Sequence, residues 1–464
     1  MKNTEKKRIK AFCIGGTSSG SGKTTVSLAL MRALRRRNLA LKVFKCGPDY
    51  IDPTYHNKAA GVVSRNLDCW IMGEKEVRRA FFESISNDCD CAVIEGVMGL
   101  YDASRPDTIH GSTAEISIML KVPVILTVNA KGMAGSIAAV VKGYAEFHPE
   151  INIIGVIANQ VGSEKHAELL KSALESASLP PLVGFLPKNS EFTLPERHLG
   201  LVPSEENKNP EIWFDKLADA AEAYFDFDLI FRLSEYSFRA VQPMSEKREK
   251  MFTVAIARDK AFSFYYEDNL DILKQSGFNL IEFSPLDDSS VPEADMLYLG
   301  GGFPEIFAEK LAANVSMRKS VKEFADSGKI VFAECGGFMY LTNSITLDEK
   351  KYPMCGVVNA DASMEKRLRS LGYRKVKTAT DSFWGAAGTE FKGHEFHWSG
   401  VEYPEPYPPA WYAKGSKPDA EYKQTGVHFN NVFASYIHLH FASNRNAVKK
   451  IINFLKENKE CNKI

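Results

Sequence analysis

Gly16-Thr17-Ser18-Ser19-Gly20-Ser21-Gly22-Lys23-Thr24-Thr25 decides the fold of the first half of the chain. An apolar run, Ala11 to Gly16, leads into it, and a helix-like stretch, Lys23 to Arg37, leaves it. Glycines at such a junction let consecutive backbone N–H groups point inward at a helix start, where the helix dipole also favours anions. Gly16, Thr17, Gly20, Ser21, Gly22, Lys23, Thr24 and Thr25 are therefore expected to cradle the phosphates of ATP, with Lys23 on the terminal phosphates and Thr24 on magnesium. The usual spacing would put the first glycine at 17; Thr17 stands there and Gly16 lies one residue earlier, so the loop is one residue longer.

Outward from this loop, Val- and Ile-rich runs alternate with helical patterns through about residue 225. The runs are Ala11 to Gly16, Leu39 to Lys45, Cys91 to Glu95, Val122 to Asn129, Ile151 to Asn159 and Leu182 to Leu186. Continuous apolar strands suit a parallel sheet buried on both faces. The helices Lys23 to Arg37, Met133 to Tyr144 and Glu164 to Ser176 supply the crossovers. The expectation is a doubly wound α/β domain over 1–235. Open sheets of this kind place ligands at the carboxyl ends of their strands. Glu95, in Val93-Ile94-Glu95-Gly96-Val97-Met98-Gly99, lies at such an end. A carboxylate there can hold the magnesium that bridges phosphates. Asp49 and Asp52, in Lys45-Cys46-Gly47-Pro48-Asp49-Tyr50-Ile51-Asp52, are candidates to join it or to orient an acceptor.

The stretch 236–250 ends in the charge run Ser245-Glu246-Lys247-Arg248-Glu249-Lys250 and is expected to be a linker. A second α/β block over 251–464 begins with Met251 to Ala257. Its further strands are expected at Asn279 to Phe283, Met296 to Leu299, Lys329 to Ala333 and Phe433 to Leu439, with mainly antiparallel strands and loops from Tyr352 to Ala434. Within it, Ala333-Glu334-Cys335-Gly336-Gly337 places a thiol on a strand-to-helix turn beside backbone N–H donors. That geometry suits nucleophilic attack on a carboxamide. His438, in Ala434-Ser435-Tyr436-Ile437-His438-Leu439-His440, is the candidate base. Gly301 and Gly302, in Tyr298-Leu299-Gly300-Gly301-Gly302-Phe303, together with Gly336, are the candidate oxyanion donors.

Composition narrows the classes of partner. The chain has 464 residues, 25% of them charged and 44% hydrophobic. Its 58 basic side chains balance 58 acidic ones, so no net field draws it to nucleic acid or membrane. No apolar run approaches the roughly 18 residues of a membrane span. The basic Met1 to Arg8 is not followed by a signal-peptide core, so a cytoplasmic location is expected. The eight cysteines show no CxxC pair, which argues against a disulfide framework or a zinc site. Small molecules are the expected partners, and a homodimer is the assembly considered.

The longer loop and the Lys45 to His56 string resemble the dethiobiotin synthetase branch of phosphate-loop enzymes, which phosphorylates carboxyl-type groups. The cysteine half resembles a class I glutamine amidotransferase domain, in which such a cysteine hydrolyses glutamine and releases ammonia. Typical members carry a glutamate two residues after the base, where this chain has His440; the departure suggests a slow or tightly coupled glutaminase and leaves the third triad member open. In order along the chain, GTSSGSGKTT, KCGPDYIDPTYH, EGVMGLYD, GSTAEIS, IARDKAFSFYYEDNL, YLGGGFPE, AECGGFMYL, GHEFHWS and ASYIHLHF resemble the cobyrinate a,c-diamide synthase family. The resemblance implies that ATP phosphorylates peripheral carboxylates of a corrin and ammonia displaces the phosphate, first on the c and then on the a side chain. It also implies an acceptor site at the loop of Asp49, Tyr50 and Asp52; Asp49 is in addition the candidate, on its chemistry, to join Thr24 and Glu95 at the metal. His56, Asp68, His110 and Ser112 are candidates for the same cleft. His394 and His397 have metal-like spacing but are expected to pack or make domain contacts. Relatives that amidate nickel-sirohydrochlorin or hydrogenobyrinate share these motifs. A partitioning-type ATPase switch is the rival of another class, and it has no use for Cys335 or His438.

Overall fold

The computed structural model describes residues 6–103, 105–192, 196–197, 200–201, 210–241, 250–417 and 419–461. The chain divides into two compact units, Met1–Met244 and Ser245–Ile464. No helix among the described residues is long and apolar enough to cross a membrane.

In the first unit β1 (Lys6–Gly16), β2 (Leu41–Cys46), β3 (Ser64–Leu67), β4 (Cys91–Glu95), β5 (Val124–Asn129), β6 (Ile153–Val161) and β7 (Leu182–Pro187) form one sheet in the order β3-β2-β4-β1-β5-β6-β7. Every neighbouring pair in that order is parallel. Successive residues Ala11, Phe12, Cys13 and Ile14 are all fully buried, as a central strand covered on both faces requires. Helix Lys23–Arg36 packs Val26, Leu30 and Leu34 into a core that also holds Phe214, Leu217 and Ala221 of helix Pro210–Tyr224. The ion pairs Arg32–Asp215 (2.8 Å) and Arg36–Asp219 (2.6 Å) decorate the rim of that contact. Exposed pairs contribute little beside the apolar burial beneath them.

Two strands of this sheet run against the sequence reading. β3 reads Ser-Arg-Asn-Leu, with no apolar run; it is a strand because it pairs with the edge of β2. After a short ribbon of β8 (Glu196–Arg197) and β9 (Gly200–Leu201), β10 (Glu235–Arg239) runs antiparallel to Lys6–Lys10 of β1. The Ala11 N–H reaches Ser234 O (2.9 Å) and the Cys13 N–H reaches Pro123 O (2.8 Å), so β10 continues the flank of β1 that β5 occupies farther along. The expected linker 236–250 therefore starts too early: residues 236–239 belong to this sheet, and 242–249 lie outside the described residues.

The second unit centres on β11 (Phe252–Ala257), β12 (Phe278–Phe283), β13 (Met296–Leu299) and β14 (Ile330–Glu334). After them come β15 (Ser344–Leu347), β16 (Lys350–Pro353), β17 (Asp361–Met364), β18 (Ser370–Thr378), β19 (Glu390–His397), β20 (Ser399–Glu402), β21 (Trp411–Gly415), β22 (Lys423–Thr425), β23 (Val427–Phe429), β24 (Val432–Ser435) and β25 (His438–Leu439). The main sheet has the order β12-β11-β13-β14-β24-β23, parallel up to β24 and closed by antiparallel β23. Two smaller sheets are β16-β15-β17-β20 and β22-β21-β18-β19-β25. The expected single strand Phe433 to Leu439 is a correction: β24 ends the parallel sheet, the chain turns at Tyr436 and Ile437, and β25 joins the antiparallel sheet beside β19. The stretch holds no Gly, Pro or charged residue to mark a turn, so only the pairing partners reveal the break.

Candidate active sites

The first centre gathers at the carboxyl ends of the adjacent strands β1, β4 and β2. Gly16 closes β1 because the loop folds back on it: a Cβ there would meet Ser21 Oγ at 2.4 Å and Lys23 Cδ at 2.8 Å. This close approach explains a glycine at 16 with threonine tolerated at 17. Gly22 starts the helix with φ 98°, and a Cβ on it would meet Asn159 Nδ2 at 1.9 Å. Asn159 Nδ2 in turn donates to Ser21 O (3.2 Å) and braces the loop from β6. The Ser21 hydroxyl is buried with no partner among the described residues. Lys23 Nζ donates to Ser18 O (3.0 Å), and burial followed by the neighbouring Lys45 charge lowers its pKa. A bound anion would supply what both groups lack, so these residues fit a polyphosphate.

Glu95, fully buried at the end of β4, takes hydrogen bonds from Thr24 Oγ1 (2.8 Å) and Lys45 Nζ (2.8 Å) on one oxygen and pairs with His56 Nε2 (2.7 Å) on the other. Lys45 Nζ also contacts Asp52 Oδ2 (2.5 Å) and Gly96 O (3.0 Å). Burial alone would push the Glu95 carboxyl up, but Lys45 and His56 hold it well below the usual carboxylate range. Burial likewise opposes charge on Lys45, yet Asp52 and Glu95 keep its ammonium protonated. Asp52, the other acid sharing Lys45, is pushed up by burial and by Asp49. Thr24 and Glu95 present hard oxygen donors that suit magnesium. Among the described residues no group of three His, Cys, Asp or Glu side chains gathers round a metal position, so the rest of the coordination would come from phosphate and water.

Sequence reasoning missed Lys45, although a lysine next to the end of a Val- and Phe-bearing strand was a legible signal: a buried ammonium requires anions. The other candidates separate by role. Asp49 Oδ1 accepts the N–H groups of Ile51 (2.7 Å) and Asp52 (3.2 Å) and so caps helix Ile51–Ala60, with Tyr50 at the N-cap position. Asp68 caps helix Cys69–Met72 and Ser112 caps helix Thr113–Leu120. His110 pairs with Glu115 (2.7 Å) on the exterior, whereas His56 belongs to the Glu95 network. A side chain at residue 22 would sit at φ 98° and displace Asn159. Strain of that kind costs about 1–3 kcal/mol, so we expect Gly22→Ala to weaken ATP binding about 10- to 100-fold. Titration of the variant with ATP checks this, and an unaltered Kd would remove the loop from nucleotide binding.

The second centre is the turn between β14 and helix Gly336–Leu341. Cys335 has φ 47° and ψ −106°. Such a conformation costs a residue with a β-carbon about 1–3 kcal/mol and persists only when its surroundings hold it. Here its N–H donates to Ser435 O (2.8 Å), the Met339 N–H donates to Cys335 O (3.0 Å) and the Gly337 N–H donates to Gly300 O (2.9 Å). A Cβ on Gly336 would meet Gly302 N at 3.1 Å, and one on Gly301 would meet His438 Cε1 at 2.3 Å. Contacts therefore link the cysteine turn, the Gly300 to Gly302 loop and His438. Burial pushes the Cys335 thiol up, Glu305 adding to it, while burial and His394 push His438 well down.

His394 and His397 are both buried and packed on β19, as expected, and His394 packs against the candidate base. His394 lies opposite His438 across the β19–β25 pair, its ring stacked on it at 4.9 Å and 15°, with Tyr266 Oη 2.9 Å from its Nδ1. An odd number of residues farther along the strand, His397 faces the other side of β19. It is bonded to Ser399 O (2.7 Å) and Glu395 (3.0 Å) and stacked on Tyr436 at 3.8 Å. The two rings cannot ligate one ion. His440 does not orient His438: its Nδ1 accepts the Ala442 N–H (3.3 Å), its Nε2 has no partner among the described residues, and its ring lies 4.5 Å from that of Tyr266. Sequence reasoning also missed Glu334, the buried neighbour of Cys335. It accepts from Tyr298 Oη (2.7 Å) and the Leu439 N–H (2.7 Å), and burial pushes its carboxyl up to about 8 against those two bonds.

Comparison with known proteins agrees with both centres. Residues 12–202 match the CobQ/CobB/MinD/ParA nucleotide binding domain, and residues 253–446 match the CobB/CobQ-like glutamine amidotransferase domain. The chain is 43% identical to the cobyrinate a,c-diamide synthase of Priestia megaterium, over 98% of each chain. It is 44% identical to that of Listeria innocua over 94% of this chain and 97% of the other. With that of Leptospira interrogans the identity is 40%, over 96% and 98%. Agreement at this level across both halves leaves one assignment: the chain belongs to the cobyrinate a,c-diamide synthase family.

Proposed function

We propose that the chain catalyses the ATP-dependent, glutamine-using conversion of the a and c side-chain carboxylates of cobyrinate to amides, as a cytoplasmic enzyme of cobalamin biosynthesis. One observation carries the reading: a single polypeptide builds both a phosphate cradle with a buried acid at its foot and a strained cysteine turn linked to a histidine through a glycine loop. A carboxylate is a poor acyl donor. ATP supplies the phosphoryl group that gives the acid a leaving group, and magnesium, when bound, would offset the charge of its phosphates.

The residues of the first centre bind and orient. Lys23 would leave Ser18 O for the terminal phosphates, Thr24 and Glu95 would hold the metal, and the loop of Asp49, Tyr50 and Asp52 would position the acceptor acid. Lys45, paired with both Asp52 and Glu95, would keep a positive charge beside the phosphates, with Asp52 as its remaining partner if Glu95 held the metal. In the second centre, His438 takes the Cys335 proton as Sγ attacks the carboxamide carbon of glutamine. The oxyanion is held by the N–H groups of Gly301, Gly302 and Gly336. His438 returns the proton to the departing nitrogen, ammonia leaves, and water cleaves the thioester to glutamate. Ammonia made inside the protein arrives unprotonated at the acyl phosphate and displaces phosphate.

Turnover against cobyrinate, hydrogenobyrinate and nickel-sirohydrochlorin, each with ATP and either glutamine or ammonia, tests the reading. The highest kcat/KM is expected with cobyrinate. Preference for another ring, or failure to amidate any of them, would overturn it.

A further inference from the structure

The acid that class I glutaminases place two residues after the base is replaced by His440 here, and His440 makes its hydrogen bond elsewhere. Another acid lies closer to the nucleophile in sequence. Glu334 ends β14 immediately before Cys335 and is almost wholly buried. One of its oxygens accepts the N–H of Leu439, the residue after His438 on β25; the other accepts the hydroxyl of Tyr298 on β13, just before the Gly300 to Gly302 loop. The three segments belong to two different sheets. β13 and β14 are neighbours in the parallel sheet, whereas β25 hangs from the antiparallel one. Apart from this carboxyl, β25 is held by a short pairing to β19 and by Asn269, whose Nδ2 donates to Leu439 O (2.8 Å) and whose Oδ1 accepts the Phe441 N–H (2.7 Å).

From this geometry we infer that Glu334 is the positioning residue of the glutaminase centre, the group that fixes the base strand and the oxyanion strand against the nucleophile turn. The inference rests on the amidotransferase reading proposed above. Neither of its hydrogen bonds goes to a reacting atom, so its effect runs through His438 and Gly301. The burial of an acid with no basic side chain paired to it among the described residues is costly, and a hydrophobic residue would fill the same volume without that cost. What a hydrophobic residue cannot do is accept from two strands at once.

The test uses the full chain with ATP and cobyrinate, nitrogen being supplied either as glutamine or as ammonium chloride. Glu334→Ala is expected to lower kcat with glutamine about 100-fold, the size of effect a misplacement of about 1 Å produces. KM for glutamine and turnover with ammonia should both stay within about threefold of the parent, since neither needs the aligned base. Glu334→Gln keeps an acceptor for Leu439 and a polar partner for the Tyr298 hydroxyl, and is expected to recover most of the lost rate. A Glu334→Ala rate with glutamine close to the parent's overturns the inference. So does a parallel loss with ammonia, or a Gln variant as impaired as Ala, because either marks a general packing role. If the parent protein amidates with neither glutamine nor ammonia, the amidation reading falls first.

Discussion

Cys335→Ser is expected to abolish glutamine-supported amidation, by about 10,000-fold or more, while ammonia at high concentration still drives the reaction. A serine oxygen in that turn keeps the volume and the strain, so the fold should survive. Its proton is far harder to remove than a thiol's. The base available to it is also poor at rest, since burial pushes His438 well below an ordinary imidazole. The substitution therefore removes nucleophilicity and leaves the phosphate-binding unit untouched, as that unit forms its own core. Glutamate release and corrin amidation measured in parallel decide the matter. Normal glutamate release by the serine variant would strip the cysteine turn of its role.

Glu95→Gln should reduce product formation about 1000-fold with either nitrogen donor, while ATP affinity falls only several-fold. The reason lies in what the carboxylate faces. Thr24, Lys45 and His56 all direct polar atoms at it. An amide can keep most of these bonds, because a neutral imidazole can accept from the amide nitrogen. Lys45 keeps Asp52 as counter-ion, so the cluster stays paired and the unit should remain folded. What disappears is one full negative charge at the place proposed for magnesium. A variant that makes diamide at the parent rate would show that the metal is held elsewhere; calorimetry with ATP and magnesium separates a binding defect from a chemical one.

The legible parts of this protein were those whose signal is local. The phosphate loop, the acid ending β4 and the cysteine turn each announce themselves within a short stretch, because strand, turn and helix start follow one another there. The illegible parts depend on who pairs with whom. Phe433 to Leu439 looks like one strand because every residue suits burial, yet Ser435 pairs into one sheet and His438 into another. β3 has almost no apolar character and exists through hydrogen bonds to β2. Lys45 and Glu334 draw their meaning from side chains distant in sequence, as do His394 and His397. Asp49 carried a binding motif's signature and a helix cap's at once, and the structure shows its carboxylate oxygen on the cap.

The return of Glu235–Arg239 to Lys6–Lys10 has a consequence for biosynthesis. On a ribosome, Lys6–Lys10 waits with one row of amides and carbonyls unsatisfied until Arg239 has been translated. A nascent chain stalled before that point, or a fragment cut short of it, offers a free edge to any other extended polypeptide. Completion of the front module thus depends on the delivery of its last-made strand.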